Sequence, residues 1–116
     1  SPAEFKDITL SDYVGDRYTS LTEDPYQKGF VSNYARSHYS EDVAETCGRL
    51  ISLTEAEREA MIAKAGPVGG PLIRKKYDML KKWLKDSYGV DTDRWCEIYH
   101  RRIAQLDNLD WESLDK

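Results

Sequence analysis

Five side chains able to do chemistry crowd one short stretch of the sequence: Tyr34, His38, Glu41, Asp42 and Glu45. Glu41 and Glu45 are four residues apart, so on a helix they leave from one face. Val43 and Ala44 flank them and make that face partly apolar. Two acids on such a face cost free energy unless a cation or hydrogen-bond donors compensate them. A divalent metal would do this, with one acid as ligand and the other holding a histidine N–H. A capped helix start with solvated acids would do it without a metal, because negative charge is favourable in a first helical turn. The residue types alone leave both readings open. His38 and Glu41 are three apart, but His38 is expected to be an exposed loop residue. Asp42 is read only as further first-turn charge.

The elements that must position these groups read as helices. The first is expected from about Ser40, as N-cap, to Leu53, with Val43, Cys47, Leu50 and Ile51 at helical spacing. The second opens on Thr54-Glu55-Ala56-Glu57, a capping box, and ends at Gly66. "GPVGGP" reads as a loop, with Pro71 suited to the first turn of a third helix. That helix carries Ile73, Tyr77, Leu80, Leu84 and Tyr88 on one stripe, widened by Met79 and Trp83, and stops at Gly89. A fourth begins near Asp91 or Thr92 and carries Trp95, Ile98, Tyr99, Ile103 and Leu106. The tail is expected to form a last turn, with Leu109, Trp111 and Leu114 docking back. The fold class is all-α, about four antiparallel helices joined by short loops. Residues 1–33 show little periodicity and read as an irregular lead-in, anchored by Tyr13, Tyr18, Tyr26 and Phe30. Residues 34–116 form the helical subdomain.

Composition narrows the function. The chain has 116 residues, 40% hydrophobic and 33% charged, which fits one folded domain with a very polar surface. A net charge of −4 gives no reason to expect nucleic acid as a partner. No apolar run approaches the roughly 18 residues that span a bilayer. Cys47 and Cys96 are far apart with no CxxC spacing, which excludes a zinc ribbon or a disulfide framework. Both are expected to be buried free thiols. Arg74, Lys75, Lys76, Lys81, Lys82 and Lys85 on the third helix are expected to form a solvated basic face. His100, beside Arg101 and Arg102, has no partner at ligand spacing and is given no role.

The string "GFVSNYARSHYSEDVAE", Gly29 to Glu45, resembles a family of zinc-binding metallopeptidases found in secreted and surface lipoproteins of gut bacteria. The lead-in "EFKDITLSDYVG" is similar to the segment that follows the HExxH helix in that family, and "DSYGVD" to its C-terminal helices. The interval of seven residues from Tyr34 to Glu41 is also similar to that in anthrax lethal factor, another peptidase of the gluzincin type. The resemblance implies that Glu41 is the third zinc ligand of a His₂Glu site. It implies that Glu45 accepts a hydrogen bond from a ligand histidine and fixes its tautomer. Tyr34 would direct its hydroxyl at the substrate carbonyl and stabilise the oxyanion formed during peptide hydrolysis.

The chain departs from the family in having no HExxH; its two histidines are His38 and His100. One carboxylate cannot hold a catalytic zinc, and no general base is left to activate water. The chain alone is therefore expected to be inactive and to carry no zinc, zinc being the cofactor of a longer parent. It is expected to be the C-terminal part of that parent, with an HExxH-bearing segment before Ser1 packed on the first helix. The lead-in would then line a cleft between the two halves, and the surface around Tyr34, Glu41 and Glu45 would be open and apolar. The substrate implied is a peptide or protein, and the location that of a secreted, periplasmic or outer-membrane bacterial lipoprotein. A second reading stays open: a non-catalytic helical interaction module of a surface lipoprotein, presenting the third helix or the tyrosine-rich lead-in.

Overall fold

The computed structural model describes residues 3–107, and all regular structure in them is helical. The lead-in is a run of short 3₁₀ turns, Ala3–Asp12, Gly15–Ser20, Pro25–Lys28 and Tyr34–Arg36. Three α-helices follow: α1 (Tyr39–Ser52), α2 (Glu55–Tyr88) and α3 (Thr92–Asp107). The expected last turn with Leu109, Trp111 and Leu114 lies outside the described residues.

Local chemistry explains most boundaries. The cap of α1 is His38 rather than Ser40: its backbone is extended, and its Nδ1 accepts the Ser40 N–H at 3.1 Å. An imidazole nitrogen here does the work that the hydroxyl was expected to do. The capping box of α2 is present in full: the Glu57 N–H donates to Thr54 Oγ1 (3.1 Å), and the Thr54 N–H donates to the Glu57 carboxylate (2.9 Å). Gly89 closes the helix in the left-handed conformation, φ 67°.

The expected second and third helices are joined without a loop. The single break is Gly66 (φ 85°, ψ −174°), and helix resumes at once through "PVGGP". Its two glycines serve close approach instead of a turn. A Cβ on Gly69 would run into the Tyr26 carbonyl oxygen, and one on Gly70 would lie 2.6 Å from the Ile62 carbonyl. The Pro25–Lys28 turn thus lies directly on the α2 backbone.

Phe5, Phe30, Val31, Leu50, Ala65, Ile73, Tyr77 and Leu80 are buried, so the lead-in supplies core as well as cover. Arg58 donates from Nη1 to the carbonyls of Leu50 and Leu53, both at 2.7 Å, satisfying the open end of α1. Both cysteines are free, with Cys96 buried and Cys47 half-buried. Cys96 Sγ also donates to the Leu53 carbonyl, at 3.2 Å. Of the expected inward stripe of α3, Trp95, Tyr99, Ile103 and Leu106 are exposed.

Candidate functional site

Tyr34 opens its turn just ahead of α1. The next two residues, Ala35 and Arg36, are buried. The Arg36 guanidinium donates to the Asp12 carbonyl (3.2 Å) and to the Glu23 carboxylate (2.6 Å), and lies over the Phe30 ring. The Ala35 N–H donates to Ser32 Oγ, and Ser37 Oγ donates to the Tyr34 carbonyl. With its followers held inward, the Tyr34 side chain turns out and is 40% exposed. The Tyr18 ring meets it edge-on, centroids 5.3 Å apart.

Glu41 and Glu45 rise from the first turns of α1, half-buried, with Ala44 and Gly48 exposed beside them. A Cβ on Gly48 would meet nothing within 4 Å, and Ala44, Glu45, Gly48, Arg49 and Ser52 line a shallow open hollow. The Tyr34 phenol lies against Glu41. The Glu41 charge, then burial, push the phenol above its ordinary value, with smaller pushes from Tyr18 and Glu45. The three predicted site residues therefore meet on one open face. Neither acid forms an ion pair among the described residues.

His38 stays exposed, with Nδ1 occupied by Ser40. Among the described residues no three His, Cys, Asp or Glu side chains gather closely enough to hold a metal ion. The donor set on this face is one free carboxylate oxygen donor, a second acid one turn on, and a phenol. It fits one ligand of a His₂Glu zinc site and is incomplete as a site by itself.

Asp42 is a residue that sequence reasoning undervalued. It is fully buried and takes three donors: Lys76 Nζ at 2.6 Å and the Tyr13 hydroxyl at 2.6 Å, both on Oδ2, and Thr46 Oγ1 at 3.3 Å on Oδ1. The Lys76 ammonium lies 3.8 Å from the Phe30 ring centroid, with the Phe5 and Tyr13 rings nearby. Burial pushes the Asp42 carboxyl up and the Lys76 amine down, and their attraction and hydrogen bonds oppose both shifts. The expected solvated basic face holds for Arg74, Lys75, Lys82 and Lys85, which are exposed, and is corrected at Lys76. Lys76 is buried, Arg74 forms a two-pronged pair with Glu59, and Lys81 and Lys82 pair with Asp93 and Asp86. The signal was present in the sequence: Lys76 falls on the Ile73–Tyr77–Leu80 stripe, the face that must be inside.

Two other hollows lie away from this face. One is an open apolar notch of about 690 Å³ at the Gly66 bend, walled by Ile62, Pro67, Pro71 and Leu72. The other is polar, about 250 Å³, between Arg58, Glu59, Arg74 and Asp93. Neither holds Tyr34 or Glu41.

Residues 1–93 match the family described as "Putative zinc-binding metallo-peptidase". The chain belongs to this family. The matched region of this metallopeptidase-family chain contains Tyr34, Glu41, Asp42, Glu45 and Lys76, and leaves out nearly all of α3. A crystal structure of a putative zinc-binding metallo-peptidase from Bacteroides caccae is similar to it at 32% identity, with a TM-score of 0.83. The similarity covers 94% of this chain and 42% of that one, so the chain spans less than half the length of that relative. No curated protein matches the chain.

Proposed function

We propose that this chain is the ligand-bearing helical part of a zinc-dependent peptidase of the gluzincin type. Glu41 would give the metal its one carboxylate oxygen. Glu45 would accept the N–H of a ligand histidine and hold the ring in one tautomer. The two histidines and the general base would come from an HExxH-bearing segment of the whole protein, and the substrate would be a peptide or protein. Zinc, when bound, supplies Lewis acidity and an activated water. Tyr34 donates its hydroxyl to the oxyanion that develops on the scissile carbonyl. The observation that carries this reading is the convergence, near the start of α1, of the outward Tyr34 phenol with Glu41 and Glu45, neither of which forms an ion pair among the described residues. We place the protein among secreted or envelope lipoproteins of bacteria, on the motif resemblance, and cell fractionation tests that placement.

The test uses the whole protein. Glu41→Ala is expected to remove bound zinc, measured by metal analysis after dialysis. Tyr34→Phe is expected to keep zinc but lower kcat by about 10²-fold, with KM little changed. Retention of zinc by the Glu41→Ala protein would reject the reading. The alternative, a non-catalytic helical module, is favoured by the exposed Trp95, Tyr99 and Ile103 of α3. It expects the whole protein to bind no zinc at all.

A further inference from the structure

A helix can carry a ligand usefully only if its rotation about its own axis is fixed. Successive residues point about 100° apart, so a modest roll of α1 would swing Glu41 and Glu45 away from a common target. Caps fix the ends of a helix but not its roll. The residue beside Glu41 can fix it, and its surroundings are unusual. Asp42 is 0% exposed and Lys76 1%, and they meet at 2.6 Å across 34 residues of sequence. Tyr13 reaches the same oxygen from the lead-in, and Thr46 holds the other oxygen from the next turn of α1. Three separate parts of the chain therefore converge on one carboxylate. A buried ion pair is a poor source of net stability, since apolar residues of similar volume often do as well. It is directional, however, and it breaks if α1 rolls.

We propose that the buried Tyr13–Asp42–Lys76 cluster is the positioning element of the site: it sets the roll of α1 and so aims Glu41 and Glu45. The inference rests on the reading of Glu41 as a metal ligand. None of the three cluster residues touches metal or substrate in this scheme; they act through the helix.

The experiment compares three variants of the whole protein by zinc affinity, in competition with a chromophoric chelator, and by the visible spectrum of the cobalt(II)-substituted form. Tyr13→Phe removes one hydrogen bond and leaves the charges. The double variant Asp42→Leu with Lys76→Met replaces the pair by apolar groups without changing net charge. Glu41→Ala removes the ligand itself. Circular dichroism melts show which variants are folded. The double variant is expected to fold, to bind zinc about tenfold or more weakly, and to show a shifted cobalt spectrum. Tyr13→Phe is expected to do the same to a smaller degree. If the double variant does not fold, Tyr13→Phe alone decides. Folded cluster variants with wild-type affinity and spectrum, alongside a Glu41→Ala protein that has lost the metal, would overturn the inference and leave the ligand reading intact. A Glu41→Ala protein that still binds zinc normally would overturn both.

Discussion

Lys76 is the side chain whose single loss the fold should feel most. Substituting only Lys76 with Met strands a buried carboxylate among Phe5, Phe30 and Tyr13. A cost of about 3–5 kcal/mol is expected, read as a lowered urea midpoint with an unchanged slope. Restoring the balance with Asp42→Leu should recover most of that loss, because the cost lies in the uncompensated charge. At this scale the sequence was partly legible. The spacing of Glu41 and Glu45 shows their shared face, since helical periodicity is a local property. The burial of Asp42 is not visible in its neighbours, because its partners come from positions 13 and 76. Lys76 was readable from its place on an apolar stripe, had the pattern been weighed above its charge.

Helix ends and helix faces respond to conditions in ways that can be measured separately. The Glu57 carboxyl is held below its ordinary value of 4.5, first by the Thr54 amide and then by its hydroxyl. The folded chain thus gives up this proton at lower pH than the unfolded chain. The capping box contributes stability above the ordinary glutamate value, and that contribution is lost as pH falls through the lower folded value. Protection of the amides at Glu55 to Arg58, relative to their intrinsic exchange rates, should therefore fall below about pH 4.5, and Thr54→Ala should lower it at all pH at a cost of about 1 kcal/mol. On α1, Gly48→Ala meets open space and should raise stability by about 0.5–1 kcal/mol in this chain. The same change should be neutral or harmful in the whole protein if another segment covers that face, and paired thermal melts compare the two. Caps and stops were legible because their chemistry spans three or four residues. The "GPVGGP" stretch misled because glycine and proline signal turns locally, whereas Gly69 and Gly70 answer to carbonyls of Tyr26 and Ile62.

As a whole the molecule is elongated, 54 × 35 × 25 Å, with a radius of gyration of 16.4 Å. About 13 Å is usual for a compact chain of 100 residues. Most of the apolar stripe of α3 stays in solvent, while Cys96 Sγ and the Lys81–Asp93 pair tie its first turns to the rest. Compactness in the remainder depends on the lead-in lying flat on α2. Gly69→Ala should break that contact and destabilise by about 1–3 kcal/mol, with new protease sensitivity in the Pro25–Lys28 turn. The all-α class and the number of helical runs were legible from periodicity, but the part played by the lead-in was not: Phe5, Phe30 and Val31 are core residues set in 3₁₀ turns that carry no periodic signal.

One bend has a reach beyond its own surroundings. Arg58, before Gly66, grips the rear of α1, and Lys76, after it, grips the front. α1 is thus clamped in a vice whose two jaws share a pivot of one residue, in backbone geometry that only glycine adopts with ease. A methyl group has room at that pivot, so an alanine there would cause no local collision. Its cost would be backbone strain at the pivot itself, and relief of that strain would be felt at the far tips of the jaws, as a tilt of the carboxylates on α1.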